Sequence, residues 1–234
     1  MQPEPTHIPD SLTMIADTTL NTISEGGMGA VVGRAGIGKT PLIVQLALHA
    51  IIKNNNVLHV SLSQSVQKTV LWYNEICSRL AEQFPALTDA SLEPFFRHRF
   101  IMTLKGTDFS VDNLQGRIRE LQEQDVFSPA YLVIDGLSSG IFQRDQADEL
   151  KMLGRTMNLG IWVAVGAHRE EDRDKHDRPA SISEVADLFD AVWELSPKPE
   201  DKRIYLESKP AAPNLPAAPT KLFLTPSSMM LNLL

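Results

Sequence analysis

Eight consecutive residues, Gly33-Arg34-Ala35-Gly36-Ile37-Gly38-Lys39-Thr40, carry the strongest chemical signal in the chain. They spell G-x-x-x-x-G-K-[ST], the Walker A pattern of a phosphate-binding loop (P-loop). A triphosphate needs several N–H donors converging on it, so the backbone has to come close. Gly33, Gly36 and Gly38 permit that approach because they carry no Cβ and tolerate positive φ. Lys39 is expected to bridge the β- and γ-phosphates, and the Thr40 hydroxyl to ligate Mg2+. The expected nucleotide-binding segment runs from Gly33 through Pro41, with ATP and Mg2+ as its ligands. A second candidate is Asp135, which ends the apolar run Tyr131-Leu132-Val133-Ile134. A carboxylate at the end of such a strand can hold Mg2+ through water, opposite the Thr40 hydroxyl. The alternative is a plain strand-end aspartate.

These groups need a strand before the loop and a helix after it. Met28–Val32 has the composition of a short buried strand, and from Pro41 onward Leu42, Leu46 and Ala50 recur on one helical face, with Ile43 and Ala47 beside them. Pro41 falls in the first turn, where its missing N–H costs nothing, and the helix N-terminus aims its dipole at the phosphates. Downstream the pattern alternates. Strands are expected at Val57–Leu62, Phe100–Leu104, Tyr131–Asp135 and, centrally, Gly160–Ala167. Helices are expected from about Val66 to Gln83, after an N-cap at Ser110, and over Glu149–Leu159. Ala191–Leu195, Arg203–Glu207 and Lys221–Thr225 are read as further strands, antiparallel at one edge. The fold class is therefore α/β, a mostly parallel central sheet with helices on both faces and antiparallel edge strands at the C-terminus.

Composition narrows the function classes. The 234 residues suit one α/β domain, here residues 23–234 preceded by an N-terminal extension of residues 1–22. Hydrophobic residues make up 43%, and the longest apolar stretch, Leu42–Ile52, is interrupted by Gln45 and His49, too short to span a membrane. No basic region followed by an apolar core opens the chain, so no signal peptide is expected. The single cysteine, Cys77, excludes an internal disulfide and a cysteine-cluster metal site, fits a reducing cytoplasm, and suits a buried helix position. A net charge of −7 gives no global attraction for nucleic acid.

Taken together, the P-loop strand and helix, Val57-Leu58-His59-Val60-Ser61-Leu62, Tyr131–Leu137 and Gly160–Val165 resemble the RecA-like P-loop ATPases. They are most similar to the ATPase domain of DnaB-type replicative helicases and to KaiC-like and RadA-like proteins. The Gly-Arg-…-Gly-Lys-Thr spelling, Arg178-Pro179 with Ser181–Leu188, and Asp190–Leu195 are similar to the DnaB type. The resemblance runs from about Ile23 to the C-terminus. It implies a core that binds ATP and Mg2+ and often assembles into rings or filaments.

Several positions depart from that family. Its water-activating glutamate, written Ser-Leu-Glu in DnaB-type proteins, is replaced here by Ser61-Leu62-Ser63-Gln64, and the other common glutamate position holds Gly136. A serine cannot take a proton near neutral pH unaided, and Gln64 can only orient a water. Where the family places a γ-phosphate-sensing glutamine at the end of the fifth strand, this chain has His168, either a surviving sensor or a loop histidine. Lys209 stands near the position of a lysine that the family extends into the neighbouring subunit. The Pro/Ala run that follows, residues 210–219, holds no arginine, so a trans arginine finger is absent. The segment His168–Arg178 has five acids against four bases, a poor phosphate-tracking surface, and is expected to be a solvated mobile loop. The implied function is an ATP- and Mg2+-binding ATPase with slow hydrolysis. The alternatives are a non-hydrolytic nucleotide-binding regulator or assembly protein, and a helicase-like nucleic-acid motor. Expected partners are ATP or ADP and at most a weak homo-oligomer, with nucleic acid disfavoured and no membrane.

Overall fold

The computed structural model describes residues 23, 26–83, 93–105, 109–137, 142–168, 171–198, 200–210 and 222–233. The expected extension of residues 1–22 and most of the Pro/Ala run lie outside them. Strands β1 (Met28–Arg34), β2 (Val57–Ser61), β3 (Arg99–Thr103), β4 (Tyr131–Leu137) and β5 (Gly160–Ala167) run parallel and are joined to β6 (Ala191–Lys198), β7 (Arg203–Lys209), β8 (Leu222–Leu224) and β9 (Leu231–Leu233) in one sheet. Its order is β3-β2-β4-β5-β1-β6-β7-β8-β9. β6 pairs parallel with β1 (Val31↔Trp193), and the antiparallel part begins only at β7. Ala191–Leu195 therefore extends the parallel half instead of joining the antiparallel edge. The short helix and turn between β5 and β6 return the chain to the sheet end where β1 starts, and this sets the direction of β6.

Helices α1 (Lys39–Ile52) and α2 (Val66–Gln83) cover one face of the sheet. Helices α3 (Val111–Glu123) and α4 (Arg144–Met157), with the single turn α5 (Ala180–Ser183), cover the other. Alternate residues feed the two cores because strand side chains have a period of two. In β4, Tyr131 and Val133 point into the first core and Leu132 and Ile134 into the second; in β5, Trp162 and Ala164 oppose Ile161 and Val163. Helix α3 starts where expected, with the Ser110 side chain accepting a hydrogen bond from Asn113 N. Helix α4 starts five residues before the expected Glu149, through the polar turn Arg144-Asp145-Gln146. The Arg144 guanidinium grips Asp187 in a fork (2.6 and 2.8 Å), and Lys151 pairs with Asp190, whose carboxylate also accepts the Met28 N–H.

Helix α1 is buried all round, from Pro41 to Ile51, so its two polar residues are inside the protein. Gln45 is 1% exposed and acts as a clasp. Its amide donates to Pro41 O and Met229 O, both at 3.0 Å, and its carbonyl accepts from Leu231 N at 3.0 Å. The β8–β9 hairpin is thereby seated on the helix that follows the P-loop.

Candidate functional site

The loop at the C-terminal end of β1 has the conformation its glycines suggest, with one difference. Gly36 (φ 75°) and Gly38 (φ 108°) occupy the left-handed region, but Gly33 does not. Gly33 is required for space: a Cβ there would lie 2.9 Å from Ile37 Cγ2 and 3.2 Å from Leu195 Cβ. Gly38 ends against the C-terminal hairpin, a Cβ there falling 3.1 Å from Leu224 Cδ1 and 3.3 Å from Met229 Sδ. Nothing stands within 4 Å of a Cβ at Gly36, the open tip of the loop.

Lys39 folds back into this cradle. Its ammonium donates to Gly33 O at 2.7 Å and Arg34 O at 2.8 Å. Burial lowers its pKa, an effect the Asp135 charge opposes. Next to it, Thr40 Oγ1 donates to Asp135 Oδ2 at 2.7 Å. Asp135 is only 4% exposed; burial raises its pKa against the Thr40 hydrogen bond, the Lys39 charge and the Gly136 N–H. A cation-filled loop with a hydroxyl–carboxylate pair beside it has the donor set of a Mg2+–triphosphate site. The ammonium can exchange carbonyl oxygens for phosphate oxygens, and the Thr40–Asp135 pair can take a hydrated Mg2+ between its oxygens. No cluster of three His, Cys, Asp or Glu that could hold a metal occurs among the described residues, as expected for an ion that keeps waters and binds phosphate.

The two positions where a catalytic glutamate was sought touch each other. Gly136 has φ 95°, and a Cβ on it would lie 2.6 Å from Ser63 Oγ and 3.0 Å from Ser63 Cβ. Leu62 N donates to Asp135 O at 2.8 Å, so the ends of β2 and β4 form one ledge beside the Thr40–Asp135 pair. Gln64 is fixed by its own backbone, donating N–H to Ser61 Oγ at 3.0 Å.

His168 lies at the exposed end of β5 and lines, with Arg34, Ala35, Gly36, Ile37, Ala167 and Pro197, an open cleft of about 740 Å3 beside the loop. A smaller cleft of about 150 Å3 continues over Glu171, Arg173 and Glu194. The described part of the 168–178 segment is tied down, not solvated and mobile as expected. The Arg173 guanidinium forks onto Glu194 (2.6 and 3.1 Å), and Arg178 Nε donates to Asp174 at 2.7 Å. Lys209 is also engaged within the chain: its ammonium reaches Asp177 at 2.7 Å and Glu194 and Glu207 at 3.2 Å. Burial alone would lower the Lys209 pKa, but these carboxylates carry it upward. Sequence reasoning missed these partners and the hairpin contact at Gly38, since both depend on pairings far apart in the chain that no local pattern encodes.

No family model matches the chain, and no curated protein matches it in sequence. Among solved structures, it is similar to the ATPase domain of a DnaB-like helicase, with a TM-score of 0.71 at 13% identity over 100% of this chain and 93% of that one. A DnaB-like replicative helicase, described with its interactions with primase, gives a TM-score of 0.62 at 12% identity; the match covers 86% of this chain and 55% of that one. At these identities the likeness speaks to fold, and the fold is the RecA-like one of DnaB-like helicase ATPase domains. No helix among the described residues is long and apolar enough to cross a membrane.

Proposed function

We propose that residues 23–234 form an ATP-binding domain that takes Mg2+-ATP or Mg2+-ADP at residues 33–41 and hydrolyses ATP slowly. The observation that carries this is the 2.7 Å Thr40–Asp135 hydrogen bond beside a P-loop whose lysine is bonded to its own loop carbonyls. Lys39 leaves those carbonyls for the β- and γ-phosphate oxygens, while the N–H groups around Gly36 and Gly38 hold the phosphate chain. Thr40 and Asp135 orient the Mg2+, which when bound neutralises developing phosphate charge. His168, on the wall of the adjoining cleft, is placed to donate a hydrogen bond to the terminal phosphate. What is lacking is a group to accept the water's proton: Ser63 and Gly136 carry no carboxylate. This favours slow turnover and also supports the second reading, a non-hydrolytic regulator or assembly protein in which bound nucleotide stabilises one conformation.

Two observations weigh against a helicase-like motor. The described cations of the 173–178 segment, like Lys209, are engaged by carboxylates of the same chain, and the net charge is −7. A monomer or weak oligomer with weak non-specific DNA affinity is expected. The test is nucleotide binding and turnover measured side by side on the wild type and Lys39→Ala. The expected result is binding by the wild type, loss of binding in the variant, and turnover well below ~1 per second. Unchanged affinity in Lys39→Ala refutes the site. Turnover in the ~1–10³ per second range shows that another residue serves as base.

A further inference from the structure

The loop region is rich in cations, and nearly all of them are spoken for. Lys39 is bonded to loop carbonyls, Arg173 to Glu194, Arg178 to Asp174, Lys209 to three carboxylates and Lys198 to Glu207. The acids of the smaller cleft are equally occupied: Glu171 accepts from the Ser181 N–H and hydroxyl, and Glu194 from Arg173. Arg34 differs. It lines both clefts beside the loop, it is half-buried, and among the described residues its guanidinium has no carboxylate or hydrogen-bond partner. An uncompensated guanidinium at a phosphate-binding loop, in a chain of net charge −7, is a cation awaiting an anion.

Its reach is fixed by Lys39. The Arg34 carbonyl is 2.8 Å from the ammonium that would hold the terminal phosphates. A phosphate oxygen on that ammonium then lies two hydrogen-bond lengths, about 6 Å, from the Arg34 main chain, within the span of an arginine side chain. The large cleft between Arg34, Gly36 and His168 gives the guanidinium room to swing over the loop.

We propose that Arg34 binds the γ-phosphate in cis, so that the site distinguishes a nucleoside triphosphate from a diphosphate without an arginine from a neighbouring copy. The inference rests on the nucleotide site proposed above and assigns it a selectivity. A planar guanidinium can contact two phosphate oxygens at once, and a cis arginine can serve where a trans one is missing.

The test is isothermal titration with ADP and with a non-hydrolysable ATP analogue. It uses the wild type, Arg34→Ala, Arg34→Lys, Lys39→Ala, and an equimolar mixture of Arg34→Ala with Lys39→Ala. Arg34→Ala should keep the wild-type melting temperature, because its side chain packs in no core. It should bind the triphosphate analogue roughly tenfold to a hundredfold more weakly with ADP affinity far less affected, and Arg34→Lys should recover part of the loss. Lys39→Ala should lose both ligands. The mixture should show no recovered analogue binding, since a cis arginine cannot complete the partner's site. Equal losses for ADP and analogue in Arg34→Ala, no loss for either, or recovered binding in the mixture overturns the proposal while leaving the P-loop site intact. Failure of the wild type to bind either ligand overturns the site itself, and the Arg34 assignment falls with it.

Discussion

Replacing Gln45 with methionine tests whether the C-terminal hairpin is held to the P-loop helix by polar contacts. Methionine has nearly the length and shape of glutamine, so Gln45→Met leaves no cavity but removes three hydrogen bonds: to Pro41 O, to Met229 O and from Leu231 N. Pro41 O sits in the helix and is the least affected. Leu231 N is buried and loses its partner, at a cost of ~1–3 kcal/mol, and Met229 O, partly reached by water, loses less. Methionine recovers some of this as buried apolar surface, so the net destabilisation is ~2–4 kcal/mol. At ~2–4 °C per kcal/mol for a domain of this size, the melting temperature should fall by roughly 5–15 °C. Urea unfolding gives the free energy, and hydrogen exchange at the Leu231 amide reports whether the hairpin opens ahead of the rest. A Gln45→Met protein within about 1 kcal/mol of wild type, with Leu231 still protected, would falsify the clasp.

Three other outcomes are expected. Asp135→Asn removes a carboxylate whose burial raises its pKa; the variant should melt higher than the wild type at pH 7.5, the gap should close as the pH falls into the carboxyl range, and the Mg2+ dependence of nucleotide affinity should vanish. A wild type that melts higher at pH 7.5 contradicts this. His59 is fully buried against Tyr73 (3.0 Å), and burial, with Arg99 nearby, pushes its pKa down to about 3. The unfolded chain therefore takes up a proton below about pH 6.5 that the folded chain refuses, so stability should be lost with falling pH by up to ~1.4 kcal/mol per unit. His59→Gln should flatten that slope in urea titrations, and an unchanged slope refutes the assignment. Ser63→Glu should raise ATP turnover, measured by phosphate release, without weakening nucleotide binding; no gain would mean that the β2–β4 ledge does not face the attacking water.

The parts of the molecule written in local patterns were legible in the sequence. The phosphate-binding loop, the span of α2 from Val66 to Gln83, the Ser110 cap and the β5 strand depend on spacing, capping chemistry and short apolar runs, and they stand where expected. So does Cys77, buried on α2. Features decided by distant partners were not legible. Gln45 and His49 interrupt an apolar stretch, yet both are buried because the hairpin closes over α1. β9 is three residues long and becomes a strand by pairing with β8. β6 runs parallel to β1 because of the chain path before it, which its own residues do not encode. The charges of 171–178 have the composition of a wet surface, but Glu194 and Lys209, brought in by β6 and β7, turn several of them into a buried network. Within the candidate site, Lys39, Thr40 and Asp135 were foreseeable by type; that the Arg34 side chain would be the unpaired cation was not.

The contact between Ser63 and Gly136 bears on how readily hydrolytic power could be regained. The two positions share one volume, so a carboxylate can enter it from one side only. Position 136 is closed to that use: its φ of 95° strains any side chain, and its Cβ would sit on Ser63. Position 63 is exposed at the end of its strand and has a glycine as its neighbour. A lineage carrying this pair keeps an open socket and stands a single substitution from a carboxylate beside the phosphates. A lineage that enlarged residue 136 would fill the socket and lose that route. The glycine thus preserves an evolutionary option that the serine leaves unexercised.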